Sequence, residues 1–357
     1  MSQINITPLP LKVDVETKAV LRKVASAHRV LAELKGTLTS IPNQAILLET
    51  LTLREARESA AIENIISTID EVYQSNYHTQ QFLNPAAKEV HQYAQALKKG
   101  YDLVKKNDLL TIQHIIKIQE TIEQNNAGFR RLPGTKLLND KTGEIIYTPP
   151  QDYETIVSLM KNLERFINED ELSNLDPLVK MAIIHHQFES IHPFYDGNRR
   201  TGRIINILYL VQKGLLTLPI LYLSNYIIKN KSEYYKLLQS VRHDNNWEPW
   251  ILYILNGVEE SSSASINIIT SIRELMQAYK LKIKQQLPKI YSQDLLNNLF
   301  KFPYTKIEYL QKGLDISRST AIRYLDALIR LGLLKKKKIG RDNFFLNEAL
   351  FEILAKN

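Results

Sequence analysis

His192-Pro193-Phe194-Tyr195-Asp196-Gly197-Asn198-Arg199-Arg200-Thr201-Gly202-Arg203 is the most informative stretch of this chain. Pro193 disfavours helical geometry at His192, so a preceding helix is predicted to end there. Gly197 lets the backbone turn tightly. Asn198 is a good N-cap for a new helix whose apolar positions begin at Ile204 and Ile205. A helix N-terminus presents free N–H groups and favours negative charge. Arg200 and Arg203, three apart, share one face of its first turn. Cations there do not suit the helix itself, which points to a bound polyanion. A histidine ahead of an anion cradle suits a general base near neutral pH. A carboxylate beside phosphates, here Asp196, suits Mg²⁺. The loop reads as a site for metal-assisted phosphoryl or nucleotidyl transfer, working by positioning and charge stabilisation.

Helical periodicity dominates the rest of the chain. Apolar residues space a helix over 16–35, and the run 44–72, free of Pro and Gly, predicts another with Leu51, Ala56, Ile62, Ile65, Ile66, Ile69 and Val72 on its apolar side. Further helices are expected at about 86–106, 111–124, 152–168, 175–191, 199–213, 231–241 and 248–258, with a connecting helix over 259–286. Between Gly128 and Pro150 lie three of the 13 prolines and three of the 12 glycines. There Lys136-Leu137-Leu138 and Glu144-Ile145-Ile146-Tyr147 flank the turn-forming Asn139-Asp140-Lys141-Thr142-Gly143, which predicts a β-hairpin.

The last 68 residues carry 12 Lys+Arg against 7 Asp+Glu, a surplus of 5 out of the chain's +8. A short helix at Lys306–Leu310, a turn at Gly313-Leu314-Asp315, a helix from Arg318 to Leu331 capped by Ser317, and a hairpin with lysines 335–338 follow in order. That is the order of a winged helix-turn-helix. The wing suits nucleic acid phosphate, an acidic protein, or solvent alone. The expected division is an N-terminal helical region (1–110), a core (111–258), a linker helix (259–289) and the winged unit (290–357).

Composition narrows the chemistry. With 357 residues the chain is long enough for two or three domains. It has no cysteine, which excludes disulfides, thiolate metal sites and a thiol nucleophile. The start Met1-Ser2-Gln3-Ile4-Asn5 lacks the regions of a signal peptide, and no apolar run is long enough to span a membrane, so a cytoplasmic location is expected. No Gly-x-x-x-x-Gly-Lys-Ser/Thr loop occurs. His185-His186 sit side by side on a predicted helix, so their rings diverge and do not share a metal. His243-Asp244 has no accompanying ligands.

The twelve-residue loop resembles the signature of the Fic (filamentation induced by cAMP) family, His-Pro-Phe-x-Asp/Glu-Gly-Asn-Gly-Arg-x-x-Arg. The departure is Arg199, where the family usually has glycine. Ser59-Ala60-Ala61-Ile62-Glu63-Asn64 is similar to the family's inhibitory-helix pattern, Ser/Thr-x-x-x-Glu-Gly/Asn, in the subclass that carries it N-terminal to the core. The resemblance implies a mainly α fold: a helical core with a β-hairpin flap, an inhibitory helix at about 50–72 and a C-terminal winged helix. It implies an adenylyltransferase that moves AMP from ATP to a Ser, Thr or Tyr hydroxyl of a target protein. By the same resemblance His192 is the base, and Asp196 holds Mg²⁺. Gly197, Asn198 and the backbone of Arg199, Thr201 and Gly202 form the anion hole, while Arg200 and Arg203 hold phosphates. Tyr234 lines an adenine pocket. Lys136, Leu137 and Leu138 pair with the target segment. Ser59 and Glu63 are inhibitory, with Glu63 paired to Arg203. Two other readings stay open. One is a DNA-binding, nucleotide-sensing regulator, and the other a Fic enzyme with another donor or the reverse, AMP-removing direction. A homodimer is also left open.

Overall fold

In the computed structural model the described residues are 6–75, 84–138, 142–339 and 342–355. Helices dominate them, and two small antiparallel sheets complete the fold.

The chain opens with α1 (Lys18–Leu38), capped by the Thr17 hydroxyl. After Ile41-Pro42 comes α2 (Ala45–Ile62). Helical spacing continues past residue 62, but the helix does not. Glu63 is its C-cap and Asn64 turns to φ +63°. The Ile65 N–H reaches Ala60 O at 3.1 Å and the Asn64 N–H reaches Ala61 O at 3.0 Å, the paired bonds of a Schellman motif. The predicted single helix over 44–72 is therefore α2, a turn, and α3 (Ile69–Ser75). Ile66, expected on the buried side, is 80% exposed.

Next come α4 (Pro85–Asn107) and α5 (Ile112–Glu123). The predicted hairpin is present as β1 (Leu137–Leu138) against β2 (Ile145–Tyr147). Part of its turn, 139–141, lies outside the described residues. Lys136, expected on the strand, precedes it. Then α6 (Tyr153–Asn168) leads to α7 (Pro177–Ile191) and α8 (Asn198–Gln212).

The core is built around α7. Asp176 caps it, Pro177 fills its first turn, and every residue from Leu178 to Ile191 is buried. Such a helix must be covered all round, and α6, α8 and α11 pack on it. A short helix not anticipated from sequence, α9 (Leu223–Lys229), precedes α10 (Lys231–Asp244). The stretches 248–258 and 259–286 form one helix, α11 (Trp247–Gln286). Its Gly257 is a close-approach position, since a Cβ there would lie 2.8 Å from both Leu223 and Tyr226 of α9. At 40 residues and 1.5 Å per residue, α11 is about 60 Å long. One half packs on α1 and α7, the other on the C-terminal unit.

That unit is α12 (Gln293–Lys301), β3 (Tyr304–Thr305), α13 (Ile307–Leu314), α14 (Arg318–Arg330), β4 (Lys335–Ile339), β5 (Asp342–Leu346) and α15 (Glu348–Ala355). Ser317 caps α14 as expected. The strands order β3-β5-β4, all antiparallel.

Candidate active site

His192 ends α7 in left-handed geometry, φ +50°. Arg130 fixes this bend from below: its Nε donates to His192 O at 2.8 Å and its backbone N–H to Pro193 O at 2.9 Å. The same guanidinium reaches Pro150 O beyond the hairpin, so one buried arginine joins the loop to the flap. Burial, then Arg199, Arg242 and Arg130, push the His192 imidazole down to about 3. It is neutral at physiological pH, and burial and the three cations make it a weaker base than a free imidazole.

Gly197, at φ +78°, is the N-cap of α8. A Cβ there would meet Glu123 at 2.5 Å. Asn198 is not the cap. It is the first helical residue, and its side-chain amide donates to Phe194 O and accepts from Phe194 N–H, each at 2.8 Å. This clasps the loop around the buried Phe194 ring, which packs against Phe129 and Phe188. Asp196 is exposed, with Oδ1 accepting from the Gly197 N–H at 2.7 Å. No other hydrogen bond to its carboxylate is seen among the described residues.

A cavity of about 320 Å³ opens over this loop. His192, Asp196, Gly197, Asn198, Arg199, Arg200, Glu63 and Leu137 line it, as do three residues not anticipated: Ile65, Glu89 and Tyr195. Thr201, Gly202 and Arg203 are buried behind it. Gly202 faces α7, where a Cβ would come within 2.6 Å of Glu189 Oε1.

The arginines divide. Arg203, 2% exposed, donates from Nε to Ser59 Oγ at 2.8 Å, from Nη2 to Ser59 O at 3.0 Å, and from both Nη atoms to Glu63 Oε1 at 3.1 Å. Arg199 has ordinary helical backbone within α8, stacks on Tyr235 and donates to Glu63 Oε2 at 2.9 Å. Burial pulls the Glu63 carboxyl upward, but Arg203 and Arg199 outweigh it and hold it below its ordinary range. Lys231 closes the same turn, donating to Ile62 O at 2.6 Å and Asn64 Oδ1 at 3.2 Å. Arg200 lines the cavity, but its guanidinium pairs with Glu89 of α4 and with Glu123 of α5 at 2.7 Å.

Tyr234 stands in the core, bonded to His185 Nε2 at 2.8 Å and packed on Trp250, and does not line the cavity. Its neighbour Tyr235 stacks on Arg199, and the tyrosine that lines the cavity is Tyr195. Leu137 reaches the cavity from the flap, while Leu138 is exposed on the same strand.

Three family models match the chain: Fic/DOC family N-terminal over 21–102, Fic/DOC family over 109–210, and the C-terminal domain of protein adenylyltransferase SoFic-like over 275–350. A probable protein adenylyltransferase of Aquifex aeolicus is 29% identical over 54% of the chain and 55% of its own length. The protein adenylyltransferase fic-1 of Caenorhabditis elegans is 27% identical over 31% of the chain and 21% of its own length. The chain thus spans just over half of the one relative and about a fifth of the other. In fold, it is similar to the crystal structure of a Fic family protein from Desulfovibrio desulfuricans, with a TM-score of 0.60 at 19% identity, covering 96% of this chain and 98% of that one.

Proposed function

The chain belongs to the Fic/DOC family, and on that premise we propose that it is a protein adenylyltransferase held in an inhibited state by its own Glu63. The observation that carries this reading is the Glu63 carboxylate, gripped by Arg203 and Arg199 at the edge of the cavity that His192 lines.

In the transfer, His192 accepts the proton of a target hydroxyl, and the freed oxygen attacks the α-phosphorus of ATP. The bond from that phosphorus to the α,β-bridging oxygen breaks, pyrophosphate leaves, and AMP stays on the target. The N–H groups opening α8 have no acceptor within the helix and face the incoming phosphates. Asp196 offers one hard oxygen beside them, a donor that fits Mg²⁺, which typically keeps one or two carboxylates and fills its shell with phosphates and water. When bound, the ion neutralises phosphate charge. β1 has an outer edge with no strand partner among the described residues, and a target segment adds there as a further strand.

Arg203 is the cation for the γ-phosphate, and Glu63 occupies it. Holding the carboxylate in place by about 3–4 kcal/mol suppresses turnover by about 10²–10³-fold. The test is incubation with ATP labelled at the α-phosphate, comparing wild type, Glu63→Gly and His192→Ala. Self-labelling is expected to rise in the first variant and vanish in the second. No label in any variant, or label in a parallel incubation with γ-labelled ATP alone, refutes adenylyl transfer.

A further inference from the structure

The segment that carries Glu63 rests on the C-terminal unit at three places. Helix α2 packs against α12. Within α2, the buried Arg54 donates to Leu354 O of α15 at 3.4 Å. Beyond the Asn64 turn, Asp70 of α3 accepts from the Tyr304 hydroxyl on β3 and from Lys337 Nζ on β4, the latter at 3.1 Å. A reciprocal cap starts α3 at Thr68, three residues past Ile65 of the turn: the Thr68 N–H donates to Glu71 Oε2 at 2.7 Å, and the Glu71 N–H to Thr68 Oγ1 at 3.2 Å. Only the short link 66–68 separates α3 from the turn, so a displacement of Asp70 is passed along it to Glu63.

Lys337 also stands in a basic edge strand. β4 reads Lys335-Lys336-Lys337-Lys338, so alternate side chains face opposite ways. Lys335 pairs with Glu348 and Lys337 with Asp70, while Lys336 and Lys338 are exposed with no acidic partner among the described residues. Arg318 and Arg323 are exposed on α14, the second helix of the helix–turn–helix. An exposed helix beside a lysine-rich hairpin offers the charge and the element order that duplex phosphates take. Phosphate at Lys337 and the carboxylate of Asp70 are like charges competing for one ammonium.

We propose that duplex DNA binds across α14 and β4 and, by drawing Lys337 from Asp70, loosens the segment that holds Glu63, so that DNA is a positive effector of the transfer. This rests on the autoinhibited reading above. Coupling of this kind is reciprocal, so release of Glu63 strengthens DNA binding by the same factor. Lys337 and Asp70 are partly exposed, which sets the coupling at about two- to fivefold, the range of such ion pairs.

The experiment uses the full chain and a fluorescein-labelled duplex of about 20 base pairs at low salt, where phosphate contacts are strongest. Anisotropy reads binding, hydrogen exchange of the amides 60–66 reads release, and self-labelling reads transfer. The duplex is expected to speed exchange at 60–66 and raise wild-type labelling two- to fivefold, leaving Glu63→Gly unchanged. Asp70→Asn is expected to tighten DNA binding and raise basal labelling by similar factors. Bound duplex with unaltered exchange at 60–66, or no duplex binding, overturns the inference. Failure of Glu63→Gly to label is a separate result that refutes the transferase reading, while the exchange measurement still decides the coupling.

Discussion

Arg199 donates to Glu63 Oε2 at 2.9 Å, on the carboxylate oxygen that Arg203 leaves open. The residue that departs from the family's loop pattern thus grips Glu63 from its second side. Its helical backbone keeps the N–H that a glycine there would supply, so the departure adds a side chain without removing a donor.

Arg199→Gly is expected to raise basal self-labelling. The pair is partly buried, and hydrogen bonds between charged groups contribute about 1.5–3 kcal/mol, which corresponds to an increase of about tenfold or more. Arg203 still holds Oε1, so the variant should remain slower than Glu63→Gly. Initial rates at saturating ATP decide it. A fall in rate would show that Arg199 serves the nucleotide more than the inhibition.

How much of this was legible in the sequence depends on where the deciding partner sits. The His192–Arg203 loop was readable because its turns and charges are local: Pro193, Gly197 and the start of α8 each act on neighbours. The pairing of Arg203 with Glu63 was legible only through the resemblance. Arg200 and Arg203 share a helical face by spacing, yet Glu89 and Glu123, from two other helices, capture Arg200. Spacing cannot show that. The end of α2 was hidden because apolar residues at 65, 66, 69 and 72 continue the helical period through the break. Tyr234 and Tyr235 are adjacent, and only packing decides which one meets the core and which meets Arg199.

Two glycine-to-alanine changes should act in opposite directions. Gly202→Ala places a methyl 2.6 Å from Glu189 Oε1 and 3.1 Å from Phe188, prising α8 from α7. A loss of about 1–3 kcal/mol is expected, as for an overpacked core, together with reduced labelling in the Glu63→Gly background. Gly36 is exposed in α1 with nothing within 4 Å of a Cβ, so Gly36→Ala should stabilise by about 0.5–1 kcal/mol. Chemical denaturation of both variants checks the pair of signs.

His28 of α1 bonds through Nε2 to Asp176 Oδ2, the cap of α7, at 2.8 Å. The hydrogen bond to Asp176 raises the His28 imidazole above its ordinary value of 6.5, against the opposing effect of burial. A raised histidine stabilises the fold fully below its unfolded value and loses that contribution as pH rises through the folded one. The difference in melting temperature between wild type and His28→Gln should therefore be larger at pH 6 than at pH 8. An equal difference at both would assign the contact to packing alone.

Asn64 holds the turn after Glu63 at φ +63°, a conformation that asparagine and glycine accept more readily than other residues. Asn64→Gly should leave Glu63 in place, apart from losing the side-chain bond to Lys231. Asn64→Val puts a β-branched residue where φ is positive, at a cost of about 1–2 kcal/mol or more. The chain can relieve that strain by extending α2 through residue 64, since the apolar residues beyond it already follow the helical period. Glu63 would then sit inside the helix and lose the angle at which its two oxygens meet Arg203 and Arg199. Basal self-labelling is expected to rise about tenfold in Asn64→Val and little in Asn64→Gly, using 1.4 kcal/mol per decade. Equal rates in the two variants would mean that the carboxylate finds both arginines without the turn, and that the grip of α8, rather than the stop in α2, sets the inhibited state.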